Sequence, residues 1–541
     1  MSLTDSSPAL APDTPSSIAR AATITSIGNL SSRIVGLARE VVKSYFFGNG
    51  PAASAFELAS NLPTQFYDLL AGGMISSALV PTFSALIEDE RNPAKMAEFG
   101  RLLGALLGLA GVGLAVLVVG LWALAGLYAE FVGSGPGQDP ALVTALLHIT
   151  IPTIAFLNLS GILTAALFAR RKFTITAFTA TTFNLTMIVC VVMLEGRLHV
   201  AALAVGMLAG SVVQVAMQWP GLRGVPIRLS LNWRHPGVSQ VVRLFLPVAG
   251  GLALAQLAVQ VSYIAAGQIS AEGPATMRYA AQVIQFPLGM IAVAVSAAIL
   301  PALSAQAVQP TPDEFKATLA HGLRLVGVLI VPASVGVFVL ARPIVAALFE
   351  RGAFTAESTL YTAATLRAAA PGLLFAAIDQ PLIYAFYARR DTRTPTLIGL
   401  VSTLSYLALV AALAALAQSG LRPFTLVDLV LANSLKTGLD AVLMALFLFR
   451  KIGRLTGHAL VPLMVKVCFA SAVMAGVAWG AMSTIEAGLG TANFTAHVGV
   501  ALGAACAGAV AYFVCAWVLG VREFAVLGGM VRRKLRPAVP K

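Results

Sequence analysis

The sequence predicts an all-α integral membrane protein with about fourteen transmembrane helices, and its composition and long apolar runs are the main reasons. Of its 541 residues, 58% are hydrophobic and 11% are charged, whereas soluble domains carry about 25% charged residues. Apolar runs such as 102–127, 244–266 and 461–482 are long enough to cross about 30 Å of hydrocarbon as helices. Strands of a membrane barrel would alternate instead. Helices alone are therefore predicted to cross the membrane.

The apolar runs and their polar boundaries divide the chain into fourteen candidate helices. They lie near 22–47, 52–88, 100–131, 141–168, 173–195, 198–221, 237–268, 273–307, 315–347, 359–388, 394–418, 424–450, 459–484 and 493–521. Residues 1–20 are polar and rich in Ser and Pro, which is typical of a disordered tail. Residues 522–541 are predicted to form a second, basic tail.

Lys and Arg residues cluster in every second loop, which predicts an orientation. One set of loops and the last tail hold the basic clusters, among them Arg170, Arg171, Lys172, Arg389, Arg390 and Arg393. The other set carries only Arg197, Arg351 and Arg422. By the positive-inside rule both termini are predicted to be cytoplasmic. Orientation and contact with anionic membrane lipids account for the net charge of +13, so a nucleic-acid partner is not required.

An internal repeat predicts how the helices are arranged. QFYDLLAGGMISSALVPTFSA (65–85) aligns without gaps on QFPLGMIAVAVSAAILPALSA (285–305) at an offset of 220, and ALFARR (166–171) aligns on AFYARR (385–390) at 219. Six helices fit into that offset, so the two copies share an orientation. This predicts two parallel six-helix repeats, 21–222 and 237–452, around a central cavity, with two extra helices over 459–521.

Polar residues share one face on each of three helices, which identifies candidate cavity residues. They are Arg33, Arg39 and Glu40 on the first helix, Ser54, Glu57, Asn61, Gln65 and Asp68 on the second, and Arg278, Gln282 and Gln285 on the eighth. A charge facing lipid at mid-membrane costs about 2.5–3.5 kcal/mol, so these faces are predicted to point inward. Internal ion pairing that only locks helices together is the alternative for the first helix, and also for Lys436 and Asp440.

Several motifs carry a resemblance to a known family. SRIVGLARE (32–40), the LP and ALVP pair of the second helix, QFPLG with ILPALS of the eighth, LFERGAFT (348–355) and FYARRDTRTP (386–395) together resemble the MurJ/MviN family of the MOP exporter superfamily. The resemblance runs from about residue 22 to the twelfth helix, and the last two helices fit the family's two extra spans. It implies a non-enzymatic flippase of the bacterial inner membrane, which moves lipid II, the undecaprenyl-pyrophosphate-linked peptidoglycan precursor, to the periplasmic leaflet by alternating access.

The resemblance also implies roles for particular residues. The paired arginines of the family's first helix match Arg33 and Arg39, and its following Asp becomes Glu40. Because a guanidinium fork donates two bonds to phosphate oxygens, both arginines, with Arg278, are assigned to the pyrophosphate and Glu40 to orienting them. Charged positions of the family are replaced here at Ser54, Tyr67, Gly72, Gln282 and Gln285. The identity of the head group therefore stays open, as does a purely interfacial position for Arg278.

Other functions fit the same residues less well. Another polyprenyl-linked glycan is an alternative cargo, and so are cationic drugs, although drug efflux would need acid-rich rather than arginine-rich faces. An enzyme would need a site in a sizeable loop, and a scaffold would not need intramembrane arginines. The chain contains no G-x-x-x-x-G-K-[ST] motif and no metal-ligand spacing. No cofactor is predicted, a coupling cation stays open, and the expected partners are lipid II, membrane lipids and cell-wall synthesis proteins.

Overall fold

The computed structural model describes residues 15–87, 92–309, 311–455, 457, 459–490, 493–521 and 523. Over these residues the chain is all-helical, and it divides into two compact units, Met1–Ala275 and Thr276–Lys541. All fourteen predicted helices are present, several of them in two or more consecutive pieces. The predicted all-α membrane fold is therefore confirmed.

The first unit holds seven helices, which we number in chain order. They are α1 (Pro15–Phe47), α2 (Pro51–Tyr67, then Asp68–Gly72, Ile75–Leu79 and Val80–Leu86), α3 (Pro93–Ala123 and Ala125–Val132), α4 (Pro140–Thr150 and Thr153–Ala169), α5 (Phe173–Leu198), α6 (Ala201–Gln218 and Trp219–Leu222) and α7 (Pro236–Ile269). The sequence repeat begins its second copy with α7, whereas α7 packs with the first unit. The repeat boundaries describe sequence similarity and stay a prediction.

The second unit holds the other seven helices, and α8 begins at its boundary. They are α8 (Gly273–Pro287, Leu288–Ala292 and Val293–Gln306), α9 (Asp313–Val339 and Ala341–Phe349), α10 (Ala356–Ala388), α11 (Arg393–Gln418), α12 (Leu426–Ile452), α13 (Leu460–Leu489) and α14 (Phe494–Val518). Sequence-local caps fix several of the starts. Thr425 and Asp428 form a reciprocal capping box at the start of α12, which satisfies backbone N–H groups that have no partner within the helix.

Among the described residues, twelve helices are long and apolar enough to cross a membrane, and they correspond to α3 through α14. The two helices that miss this criterion, α1 and α2, carry two of the three charged and polar faces predicted from sequence. Helix α1 begins at Pro15, so residues 15–20 of the predicted disordered tail are helical. Proline at a first helical position loses no intrahelical bond, which makes this earlier start favourable. The rest of that tail, and all of the basic tail except Glu523, lies outside the described residues.

The repeat predicted from sequence is visible in the backbone of both units. A π-helical turn spans Asp68–Gly72 in α2, and another spans Leu288–Ala292 in α8, at the sequence offset of 220. Arg171, two residues after α4, has φ 56°, and Arg390, 219 residues later and two residues after α10, has φ 57°. Left-handed backbone is uncommon for residues other than glycine. Matching irregularities at matching offsets show that the two repeats share local structure as well as sequence.

The segment between α6 and α7 is held against α3 by a stripe of small residues. Gly100, Gly104 and Gly108 lie four residues apart on one face of α3, and a Cβ atom at Gly104 would overlap the carbonyl of Arg228. The Ser230 N–H donates to the carbonyl oxygen of Gly104 over 3.3 Å. Close approach of two backbones requires glycine at this position. This contact fixes the connection between the repeats on the first unit.

The two extra helices pack against α9 of the second unit. The Tyr512 hydroxyl on α14 donates to the carbonyl oxygen of Val328 over 2.6 Å, and Lys466 on α13 donates to the carbonyl oxygen of Leu519 over 2.7 Å. Arg324 on α9 forms an ion pair with Glu523, just beyond α14. Polar contacts to backbone carbonyls are strong where water is excluded. They fix the position of α13 and α14 beside the repeat.

Candidate functional site

A chain of alternating charges joins α1, α2 and α5 in the first unit. Arg39 Nη2 lies 2.6 Å from Glu40 Oε1, and Lys43 Nζ lies 2.5 Å from Glu40 Oε2. Lys43 also pairs with Glu57 on α2. The other end of the chain is on α5, where Asn184 Oδ1 accepts a hydrogen bond from Arg39 Nη1 over 2.9 Å. Two cations and two carboxylates thus neutralise one another inside the unit, and we call these five residues the charge cluster.

Exposure within the charge cluster decides which group could reach a ligand. The Arg39 side chain is 16% exposed, against 2% for Glu40, 3% for Lys43 and 7% for Glu57. Charges held in a water-poor interior interact strongly and are costly to leave unpaired. Arg39 therefore lies at the accessible end, and the other charges form a buried support behind it. Arg33 lies seven residues before Glu40 on α1 and is half-buried.

The remaining polar residues of α2 face protein partners of the same unit. Asn61 Nδ2 and Gln65 Nε2 both donate to Gln260 Oε1 on α7, over 3.3 and 2.7 Å. Gln260 in turn donates to the Tyr128 hydroxyl on α3. Amide side chains suit such bridges because each can donate and accept at once. This amide bridge holds α2, α3 and α7 together.

The two ends of the α2 polar face differ in exposure. Ser54 is fully buried, and its hydroxyl accepts a hydrogen bond from the Ala275 N–H over 3.3 Å. Asp68 is exposed and lies in the π-helical turn that follows the regular part of α2. Such turns occur frequently at functional sites. The predicted face therefore runs from a buried hydroxyl to an exposed carboxylate, and its role in binding stays a prediction.

The predicted residues of α8 belong to the second unit and lie before its π-helical turn. Arg278 and Gln282 are half-buried and Gln285 is exposed. They lie at intervals of four and three residues, which puts them on one face of the helix. Their neighbour Tyr279 is fully buried against Phe349 and Phe354, the aromatic residues of the LFERGAFT motif. That aromatic packing fixes the rotation of α8.

Two carboxylates and a lysine lie in the middle of the second unit, where the half-buried Lys436 interacts electrostatically with Asp440 four residues later on α12. Asp379 on α10 is buried and contacts Asp440 on α12. The Ser402 hydroxyl on α11 donates to Asp440 Oδ1 over 2.7 Å. Arg367, which the sequence places just over three turns before Asp379, is exposed. In the described residues, no group of three or more His, Cys, Asp or Glu side chains could hold a metal ion.

Four residues in these networks are not identified by sequence reasoning. Lys43 stands out in the sequence only as a neighbour of Arg39, and Asn184, Gln260 and Tyr128 do not stand out at all. The signal for Lys43 is its spacing, because residues three apart on a helix are neighbours and Lys43 follows Glu40 at that spacing. The other three lie on separate helices far along the chain. Only the fold reveals that they converge.

The architecture defines the class of protein, a multi-pass membrane protein with the fold of MOP-superfamily exporters. A solved structure described as a lipid II flippase MurJ in an inward closed conformation has a TM-score of 0.76 and 22% identity, covering 93% of this chain and 100% of that one. An inward-facing multidrug MATE transporter of the MOP superfamily has a TM-score of 0.65 at 13% identity, covering 78% and 95%. At these identities the likeness shows a shared fold.

The family follows from the sequence comparisons. A family model described as lipid II flippase MurJ matches residues 43–498. A probable lipid II flippase MurJ of Vibrio cholerae is 31% identical over 400 residues, covering 71% of this chain and 75% of the relative. The lipid II flippase MurJ of Burkholderia cenocepacia is 31% identical over 383 residues, covering 69% and 73%. The chain belongs to the lipid II flippase MurJ family. The matched range begins at Lys43 and leaves Arg33, Arg39 and Glu40 outside it.

Proposed function

We propose that this protein moves lipid II from the cytoplasmic to the periplasmic leaflet of a bacterial inner membrane by alternating access. Family membership supports the cargo, and the charge cluster is the observation on which the mechanism depends. A pyrophosphate-linked sugar head group cannot cross hydrocarbon unaided, because isolated charges are costly there. An accessible arginine backed by buried counter-charges gives such a head group a polar partner within the membrane.

In the proposed mechanism, Arg33 and Arg39 bind the pyrophosphate and Glu40 orients them. A guanidinium fork can donate two parallel hydrogen bonds to phosphate oxygens, which an ammonium group cannot do. When the head group leaves, Glu40 takes back Arg39 at the observed distance of 2.6 Å. An inside-negative potential of 100 mV favours outward movement by about 2.3 kcal/mol for each negative charge. Flipping assays with and without a sodium or proton gradient would test a coupling cation.

The proposal places both termini in the cytoplasm, as the distribution of Lys and Arg predicts. Single cysteines at Ser134 and Glu272 should then react with an impermeant thiol reagent from the periplasmic side. Cysteines at Ala94 and Thr392 should react only after the membrane is opened. The opposite labelling pattern would contradict this orientation.

Another polyprenyl-linked glycan is the second candidate cargo. Ser54, Gln282 and Gln285 stand where the family pattern has charges, and Ser54 is fully buried. Fewer charges around the head group favour a cargo whose sugars present fewer ionised groups. The number of charged contacts is therefore the feature that separates the two candidates.

Reconstitution tests the proposed function directly. The purified full chain in lipid vesicles should flip fluorescent lipid II faster than empty vesicles do, and faster than it flips an undecaprenyl-pyrophosphate disaccharide without the peptide. In cells, depletion of the protein should cause lipid II to accumulate in the cytoplasmic leaflet. Equal flipping of both lipids would favour the second cargo, and no flipping of either would refute the proposal.

A further inference from the structure

Glu40 divides its two carboxylate oxygens between two cations. Oε1 lies 2.6 Å from Arg39 Nη2, and Oε2 lies 2.5 Å from Lys43 Nζ. Lys43 is the more deeply buried of these cations, and Glu57 of α2 holds it from the other side. Because each oxygen is within ion-pair distance of a different cation, Glu40 keeps one cationic partner when it releases the other.

This division matters because the Arg39 guanidinium has to break its contact with Glu40 before it can donate two parallel hydrogen bonds to a phosphate. A buried carboxylate that loses its only cation is left uncompensated, and that cost would oppose ligand binding. Lys43 removes this cost by staying on Oε2. Glu57 keeps Lys43 inside, so that Lys43 does not itself turn towards the ligand. Arg39 is the exposed member, which agrees with this division of roles.

We propose that Lys43 and Glu57 form a positioning pair. The pair holds the Glu40 carboxylate in place while Arg39 leaves that carboxylate and binds an oxygen of a diphosphate. This inference rests on the proposed function and names residues to which the family resemblance gives no role. The ligand chemistry is that of a diphosphate ester or of free pyrophosphate. Neither Lys43 nor Glu57 touches the ligand in this scheme, and both act through Glu40.

A purely structural ion pair between α1 and α2 is the rival explanation, and a double substitution separates the two. Lys43→Met combined with Glu57→Gln restores the balance of buried charge and should therefore restore folding under either explanation. It leaves Glu40 with Arg39 as its only cation within the charge cluster. The positioning pair thus predicts a folded protein that binds diphosphate poorly, whereas a structural pair predicts recovery of both properties.

The experiment measures inorganic pyrophosphate binding to the purified full chain by calorimetry, and lipid II flipping in vesicles. Lys43→Met and the double variant should each bind pyrophosphate at least about tenfold more weakly, because a single charged interaction accounts for a change of that size. The double variant should keep the abundance and melting temperature of the wild type. Lys43→Arg, which preserves the charge, should retain affinity to within about threefold. Wild-type affinity in the double variant would overturn the proposal.

The double variant keeps the test decisive if Lys43→Met alone fails to fold, because it removes one buried cation and one buried carboxylate together. As a matched control, Arg324→Met with Glu523→Gln removes a pair of the same kind near α14 and should leave the affinity unchanged.

The two measurements also separate this inference from the proposed function. A wild-type protein that binds pyrophosphate but flips no lipid II refutes the lipid II cargo, and the variants still decide the role of Lys43 by their affinities. A wild-type protein that binds no pyrophosphate overturns the positioning pair. Normal flipping by the double variant in vesicles overturns it as well.

Discussion

The two repeats share their backbone irregularities and differ in the charges they bury. Each has a π-helical turn at the same repeat position and a left-handed arginine at the end of an equivalent helix. In the first, a balanced cluster of cations and carboxylates surrounds Glu40. In the second, two carboxylates, Asp379 and Asp440, meet between helices, and Lys436 is the cation beside Asp440. The local backbone irregularities are thus shared by the copies, while the balance of cations and carboxylates in their interiors differs.

The difference shows what each copy can contribute. Balanced charges allow exchange, because one cation can leave while another remains. Like charges in contact favour proton or cation uptake over anion binding. An anionic head group therefore has an accessible cation in the cluster around Glu40, whereas the carboxylates of Asp379 and Asp440 would repel it.

Loss of Arg39 should have the largest effect of the changes considered. Arg39→Ala should lower lipid II flipping by about 100-fold or more, since it removes a buried charged contact worth several kcal/mol. Arg39→Lys should recover part of the activity, because the charge remains without the fork. Vesicle flipping rates, normalised to protein abundance, provide the measurement.

The second repeat supplies the control for Arg39. Arg367→Ala removes an exposed arginine from α10 and should change flipping by less than about twofold, because exposed charges contribute little. A large reduction in this variant would show that Arg367 also contributes to binding the head group.

Neutralising one carboxylate should have opposite effects in the two repeats. Glu40→Gln leaves two cations facing a single carboxylate and should destabilise the fold by about 3–5 kcal/mol. Asp379→Asn removes one of two like charges in contact, so stability should stay the same or rise. Thermal unfolding of both variants in detergent, followed by tryptophan fluorescence, measures the contrast. Equal destabilisation would contradict the proposed difference between the interiors.

Most of the fold could be predicted from sequence, because hydrophobicity alone determines which segments enter the membrane. The fourteen helices, the repeat and the inward position of Glu40 all followed from periodicity and from the cost of charge in lipid. The start of α1 was wrong, since Ser and Pro near a helix start are compatible with helix as well as with disorder. Partners on separate helices, such as Asn184 for Arg39 and Gln260 for Gln65, depend on packing between distant segments. No local pattern encodes them.

The loop after α10 should make the folding stability of the second repeat depend on acid pH, a dependence that the first repeat lacks. Although burial acts to raise it, the pKa of Asp391 is lowered to about 2 by hydrogen bonds from Lys451 and from the N–H and hydroxyl of Thr394. Because the folded pKa is below the ordinary value of 3.8, the interaction stabilises the fold above about pH 4. That contribution disappears as the pH falls towards 2.

Melting temperatures of Asp391→Asn and wild type should therefore differ at pH 7 and converge only at about pH 1.5, below the folded pKa of about 2. At the equivalent position the first repeat has Lys172 instead of an aspartate. Lys172→Met should accordingly shift the melting temperature by the same amount at both pH values. A constant difference for Asp391→Asn would rule out this interaction as the source.

The smallest effect concerns the left-handed arginines that both repeats share. Arg390 has φ 57°, a conformation that costs residues with a Cβ about 1–2 kcal/mol and costs glycine almost nothing. Arg390→Gly should stabilise the second repeat by about 0.5–1 kcal/mol, after the greater flexibility of glycine in the unfolded chain is subtracted. Arg171→Gly should stabilise the first repeat in the same way, because Arg171 has the same left-handed conformation with φ 56°. The neighbouring Arg389 has φ −86°, so Arg389→Gly should lower the melting temperature. Equal melting temperatures for the Arg389→Gly and Arg390→Gly variants would show that backbone strain at Arg390 does not cause the stability change.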